Sequence, residues 1–174
     1  RFGALLSIVS IMNANLLLRG PGPCNPSLRV LESLGAPTLG HMDGEFLELV
    51  EEVKSGLRSL FKTENSVTFP ISGTGSSGME FLLVNFLEPG DKFVVGVNGV
   101  FGGRAANLAK RLGAEVFEVS QEWGRAIDNQ EFIEVVKREQ PKLAMVVNGE
   151  TSTGVYHPLD GMGEAVHEAG GLLM

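Results

Sequence analysis

The densest chemistry in this sequence is carried by small residues. Ser72-Gly73-Thr74-Gly75-Ser76-Ser77-Gly78 lies between an apolar stretch and a helical pattern. Small side chains let amide N–H groups and the hydroxyls of Thr74, Ser76 and Ser77 converge at a helix start, where the helix dipole favours an anion. A phosphate suits such a cup; a turn that merely reverses the chain is the plain alternative. A second segment, Asn98-Gly99-Val100-Phe101-Gly102-Gly103-Arg104, sets an aromatic among glycines at another helix start. Phe101 there is either a platform for a flat ligand ring or a side chain packed on the sheet. A third, Asn148-Gly149-Glu150-Thr151-Ser152-Thr153-Gly154, follows an apolar strand. Its hydroxyls and Glu150 could face the same cleft, or form a capped surface turn.

The first segment also matches G-x-G-x-x-G at Gly73, Gly75 and Gly78, so a dinucleotide-binding fold is the runner-up. That fingerprint wants an acid roughly 20 residues on, at the end of the next strand, to hold a ribose. Here that strand ends in Val97-Asn98-Gly99. No Gly-Lys-Ser/Thr follows the glycines, which excludes a Walker loop. His41, His157 and His167 lack metal-ligand spacing and read as surface or loop histidines. Cys24, behind Pro21-Gly22-Pro23, reads as a small buried hydrophobe rather than a nucleophile. Glu51, Glu52, Glu131 and Glu134 read as solvated helix faces, and Trp123 as loop packing that could border a strand-end cleft. No Ser-His-Asp or Cys-His arrangement is readable.

These segments need a scaffold, and hydrophobic spacing supplies one. Residues 16–26 are an extended, Pro/Gly-punctuated lead, and 27–34 a short helix. Residues 43–61 carry Phe46, Leu47, Val50, Val53, Leu57, Leu60 and Phe61 at helical spacing, with Asp43 as N-cap. From Ser66 strands and helices alternate. Strands are predicted over 67–71, 92–97, 114–119 and 143–147, with another opening at Leu172; helices over 76–87, 101–112, 130–139 and 161–169. Short apolar strands alternating with helices predict an α/β fold, a three-layer α/β/α arrangement around a mainly parallel sheet. Ligands then belong beyond the carboxyl ends of the strands, in loops 72–77, 98–103, 120–124 and 148–156.

Composition narrows the function classes. The 174 residues suit one domain or part of a larger one, and 43% hydrophobic with 20% charged residues marks a folded chain. Twenty-one acids against fourteen bases, a net charge of −7, argue against a nucleic-acid or anionic-membrane surface. One cysteine excludes an intramolecular disulfide framework. The apolar run Phe2 to Ile11 is too short to span a bilayer and lacks a small-residue cleavage site. The cytoplasm or an organellar matrix is the expected compartment, not the secretory route. Residues 1–15 read as an N-terminal extension, and Leu172-Leu173-Met174 as the opening of an apolar strand, so the chain is expected to be part of a longer one.

Read in order, the motifs resemble a known family. They are Gly20-Pro21-Gly22-Pro23, Gly40-His41, Ile71-Ser72-Gly73-Thr74-Gly75-Ser76, Leu87-Glu88-Pro89-Gly90-Asp91, Asn98 to Arg104, and Gly149 to Val155. The combination resembles the class V aminotransferases, above all their alanine–glyoxylate / serine–pyruvate branch, from Leu16 to Met174. The resemblance implies a fold type I large domain, here incomplete, that binds pyridoxal 5′-phosphate (PLP) and works as a homodimer with active sites at the interface. It implies that Thr74, Gly75 and Ser76 hold the cofactor phosphate. Phe101 would stack on the pyridine ring, where many relatives carry Trp. Thr151 would lie beside the ring and the substrate carboxylate, and Gly20 near that carboxylate. The implied reaction moves an amino group from a small amino acid, alanine or serine, to a 2-oxo acid, glyoxylate or pyruvate.

By the same resemblance, the Asp that pairs with the pyridine nitrogen, the Schiff-base lysine and the Arg that grips the substrate carboxylate all follow Met174. None of Lys54, Lys62, Lys92, Lys110, Lys137 or Lys142 matches the lysine's motif. Residues 16–174 are therefore expected to be the N-terminal part of the PLP-binding large domain, with no catalytic residue of their own. A non-catalytic relative that keeps the fold for binding alone is the remaining alternative.

Overall fold

The computed structural model describes residues 16–174. The readings placed on residues 1–15, the run Phe2 to Ile11 among them, lie outside the described residues. The chain divides into two compact units between Pro70 and Ile71.

In the first unit, residues 16–27 form no helix or strand, and Asn25 ties their start together. Its Oδ1 accepts from the Leu18 amide at 2.6 Å and its Nδ2 donates to the Leu16 carbonyl at 3.2 Å. Helix α1 (Leu28–Leu34) begins where the Ser27 hydroxyl accepts from the Val30 amide. Helix α2 (Gly44–Phe61) has Asp43 at its N-cap, as the pattern predicts, but the carboxylate accepts from the Gly40 amide at 3.0 Å instead of a helix amide. Neither helix buries a residue. Phe46, Val50 and Leu57 of the predicted stripe are half-buried, while Leu47, Val53, Leu60 and Phe61 are exposed.

Two expectations fail here. Cys24 is free and exposed, not buried. Its extended surroundings are exposed throughout, so no apolar wall encloses the thiol. Residues 67–71 form no strand, although Val67, Phe69 and Ile71 alternate and have strand-forming side chains. A strand exists only where its amides and carbonyls meet a neighbour's, and Pro70 brings no donor. All three side chains remain exposed.

The second unit is the predicted α/β body. Its elements run α3 (Gly75–Phe86), β1 (Lys92–Val97), α4 (Val100–Arg111), β2 (Glu115–Ser120), α5 (Asn129–Glu139), β3 (Leu143–Met145), β4 (Gly149–Glu150), β5 (Val155–Tyr156), α6 (Met162–Glu168) and β6 (Leu172–Leu173). The main sheet has the order β2-β1-β3-β6, and every pairing in it is parallel. Strand side chains alternate between faces. Phe93 and Val95 pack with Met79, Leu83, Ala105 and Ala109 of α3 and α4. Val94 packs with Phe132, Val136, Met162 and Val166 of α5 and α6. Two apolar clusters on opposite faces of one sheet make the three-layer arrangement. The predicted boundaries hold within a residue or two, and the strand read at Leu172 pairs with β3. The pattern missed the antiparallel β4–β5 hairpin, whose strands are too short to show a period.

Candidate functional site

The cup is the start of α3. Thr74 is its N-cap, and the Thr74 hydroxyl accepts from the Ser77 amide at 3.2 Å and lies 3.0 Å from the Ser77 hydroxyl. The Gly78 amide bonds to the Thr74 carbonyl. First-turn amides have no acceptor within their own helix. The Gly75 and Ser76 N–H groups are therefore available, at the positive end of the dipole. Thr74 and Gly75 are exposed and Ser76 is half-buried. A cation stands beside them, because Arg104 of α4 donates from a guanidinium NH₂ to the Ser76 hydroxyl at 2.6 Å.

The same guanidinium lies over the Phe101 ring, 5.4 Å from its centroid. Arg104 thus brings the cup and the aromatic to one place, which sequence spacing alone does not reveal. Phe101 is half-buried, so it neither lies flat in solvent nor disappears into the core. An open cleft of about 750 Å³ runs beside them, lined by Ser76, Gly99, Arg104, Arg111, Trp123 and neighbouring residues. Trp123 is exposed and borders the cleft, the second of the two roles its position allowed. Of the expected site residues Ser76 lines this cleft, whereas Thr74, Gly75, Phe101 and Thr151 lie outside its lining.

Thr151 sits in the turn between β4 and β5, exposed. The turn closes with the Gly154 amide on the Glu150 carbonyl at 2.8 Å, and Gly154 has the left-handed φ of 74° that glycine tolerates. Glu150 is the residue whose role the sequence left open. It is fully buried, and its Oε2 accepts from the amides of Phe101 at 3.0 Å and Gly102 at 3.3 Å. Its Oε1 accepts from the amide and the hydroxyl of Ser152. The Ser152 hydroxyl in turn accepts from the Val100 amide at 2.9 Å. Residues 150–152 therefore cap α4 from across the chain, where Gly99 at the N-cap has no side chain to do so. Gly99 is needed there: a Cβ would lie 2.5 Å from Glu150 Cγ and Cδ and 2.6 Å from the Ser152 hydroxyl.

His157 corrects another expectation. It lies in a loop just after β5, but it is fully buried rather than at the surface. The base of the hairpin folds it inward, with its amide on the Asn148 carbonyl and its carbonyl accepting from Asn148 Nδ2. Its Nδ1 accepts from the Ile127 amide at 3.1 Å, so the proton of the neutral ring sits on Nε2. That nitrogen has no hydrogen-bond partner among the described residues. Burial pushes the imidazole pKa below its ordinary 6.5, against the opposing pull of the Glu150 charge. Gly20 belongs to the 16–70 unit and is exposed.

Among the described residues no cluster of His, Cys, Asp or Glu could hold a metal ion. Among them, too, no helix is long and apolar enough to cross a membrane. The dinucleotide alternative loses its context, since that fingerprint needs a strand leading into the glycines and residues 67–71 pair with none.

Comparison with known proteins agrees with the architecture. An alanine–glyoxylate aminotransferase of Felis catus is 43% identical over 171 residues, covering 98% of this chain and 41% of that protein. An (S)-ureidoglycine–glyoxylate transaminase of Bacillus subtilis is 39% identical over 145 residues, covering 83% of this chain and 35% of the relative. The crystal structure of an alanine–glyoxylate aminotransferase from Nostoc sp. superposes with a TM-score of 0.83 at 38% identity, over 95% of this chain and 45% of that one. The chain thus spans about 40% of the length of the curated relatives it matches. The aminotransferase class-V family model matches residues 28–174, both helix starts and the hairpin included, and the chain belongs to that PLP-dependent family.

Proposed function

We propose that residues 16–174 are the N-terminal part of a PLP-binding large domain and supply the phosphate cup and one ring face of its cofactor site. The observation that carries this reading is Arg104, whose guanidinium touches the Ser76 hydroxyl at 2.6 Å and lies over Phe101. A phosphorylated aromatic cofactor needs an anion cup and a flat apolar face close together, and the residues fit that need. The Gly75 and Ser76 amides and the Thr74 hydroxyl would hold the phosphate, and Arg104 would offset its charge. Phe101 would cover one ring face, and the Thr151 hydroxyl would orient the ring edge and the substrate carboxylate. Bound there, PLP supplies an electron sink for negative charge developing at the substrate α-carbon. The proton transfers are assigned to no residue of this chain; the resemblance gives them to a lysine after Met174.

The reaction proposed is amino transfer from alanine or serine to glyoxylate or pyruvate. The cat and Bacillus relatives share glyoxylate in their names and differ in the amino donor, so glyoxylate is the better supported acceptor. The exposed apolar residues of α1 and α2 would meet the second subunit of a homodimer, and the compartment would be cytoplasm or an organellar matrix. The test is the full-length protein with PLP. Visible absorption of bound cofactor and amino transfer from alanine or serine to glyoxylate support the reading. PLP binding without transfer would favour a non-catalytic relative, and tight NAD binding without a PLP spectrum would overturn the proposal.

A further inference from the structure

We infer that Glu150 is a positioning residue that fixes Phe101 and Thr151 together against the cofactor; the inference rests on the PLP reading above. Its carboxylate is fully buried and, among the described residues, forms no ion pair. All its partners are donors: the amides of Phe101, Gly102 and Ser152, and the Ser152 hydroxyl. The positive end of α4 takes the place of a counter-ion. Such a group costs stability to bury, so its placement calls for a reason beyond packing.

Position supplies the reason. The amide of Phe101 itself is held by Oε2, and α4 starts at the adjacent Val100. Thr151 is flanked by Glu150 and by Ser152, which Oε1 binds through both its amide and its hydroxyl. One side chain therefore pins the backbone that carries the ring platform and the turn that carries the hydroxyl. A glutamine is the same size but must turn an NH₂ group towards one of these donor pairs, so one of the two segments is released.

The test is PLP titration into the PLP-free full-length protein, with thermal stability followed in parallel. Glu150→Gln is expected to weaken PLP binding roughly threefold to tenfold, the size of a lost aromatic face. Phe101→Ala is expected to do the same. Because Glu150 acts in part through Phe101, the double variant is expected to lose less than the sum of the two single losses, a coupling that general destabilisation does not produce. Ser152→Ala, which removes one partner of Oε1 and the acceptor for Val100, is expected to shift binding in the same direction and to be similarly non-additive. It decides the matter if Glu150→Gln does not fold. Wild-type affinity in Glu150→Gln, or losses that simply add in the double variants, would overturn the inference. Absence of PLP binding by the wild-type protein would instead overturn the cofactor reading, and this inference with it.

Discussion

Two helix starts in the second unit are built from similar residues and used oppositely. Both follow Gly-rich loops. At α3 the cap is local, one Thr74 hydroxyl on the Ser77 amide, and the amides of Gly75 and Ser76 remain open beside Arg104. At α4 the amides of Val100, Phe101 and Gly102 are all taken by residues 150–152, with the Glu150 carboxylate as the anion. A helix start already filled by the protein's own carboxylate has no room for a ligand phosphate. Under the proposed cofactor reading the phosphate would go to α3, and α4 would present a ring. A glycine-rich loop before a helix is not in itself a phosphate site; what matters is whether its amides are already occupied.

The largest effect should come from breaking the closed start. In Gly99→Ala the backbone can stay as it is, since φ is −176° and extended, but the new Cβ would lie 2.5 Å from Glu150 Cγ and Cδ. The carboxylate must leave its donors while still buried, which costs about 3 kcal/mol. Chemical denaturation of the full-length protein would show it, and an unchanged midpoint would mean that the clasp gives way freely.

The open start predicts a binding effect instead. Arg104→Gln removes the cation beside Ser76 and should weaken PLP binding about tenfold, close to 1.4 kcal/mol. Pyridoxal, which lacks the phosphate, should lose little. Equal losses for the two ligands would place Arg104 at the ring rather than the phosphate. Thr74→Ala tests the local cap and should cost about 1 kcal/mol of stability, less than Gly99→Ala because only neutral hydrogen bonds, both to Ser77, are lost. A cost as large as that of Gly99→Ala would erase the distinction between the two starts.

The open start was readable in the sequence and the closed one was not, for a physical reason. Thr74, Gly75 and Ser76 are contiguous, and their cap lies three residues away, within the reach of local pattern. Glu150 caps an amide 49 positions earlier, through a hairpin whose strands have two residues each. No periodicity marks such a hairpin, so Glu150 read as a residue that could face a cleft or a surface turn. The central strands were legible because buried parallel strands are unbroken apolar runs. Residues 67–71 show the limit of that signal: their side chains favour a strand, but pairing is a property of the neighbour as well. Cys24 and His157 were misjudged in opposite directions, because residue type gives average burial while these two positions are set by an extended lead and by a hairpin base.

The smallest expected effect concerns His157, behind the closed start. Its Nδ1 already accepts the Ile127 amide proton, so a second proton there would lose that bond and add a buried charge. Its folded pKa is therefore below 6.5. The sign follows from linkage: between the folded and unfolded values the unfolded chain binds more protons, so stability rises with pH across that window. Above pH 6.5 the imidazole is neutral in both states and contributes no slope. As pH falls below 6.5, stability is lost until the depressed folded pKa is passed. The Glu150 charge limits the depth of this loss, since it favours the protonated ring. Thermal midpoints of the full-length protein between pH 7.5 and 5.5 should fall with acidification. His157→Asn, whose side-chain oxygen can still accept from Ile127, should show a shallower fall. An identical slope in the variant would mean that other groups govern acid sensitivity and that His157 takes up its proton without leaving its place.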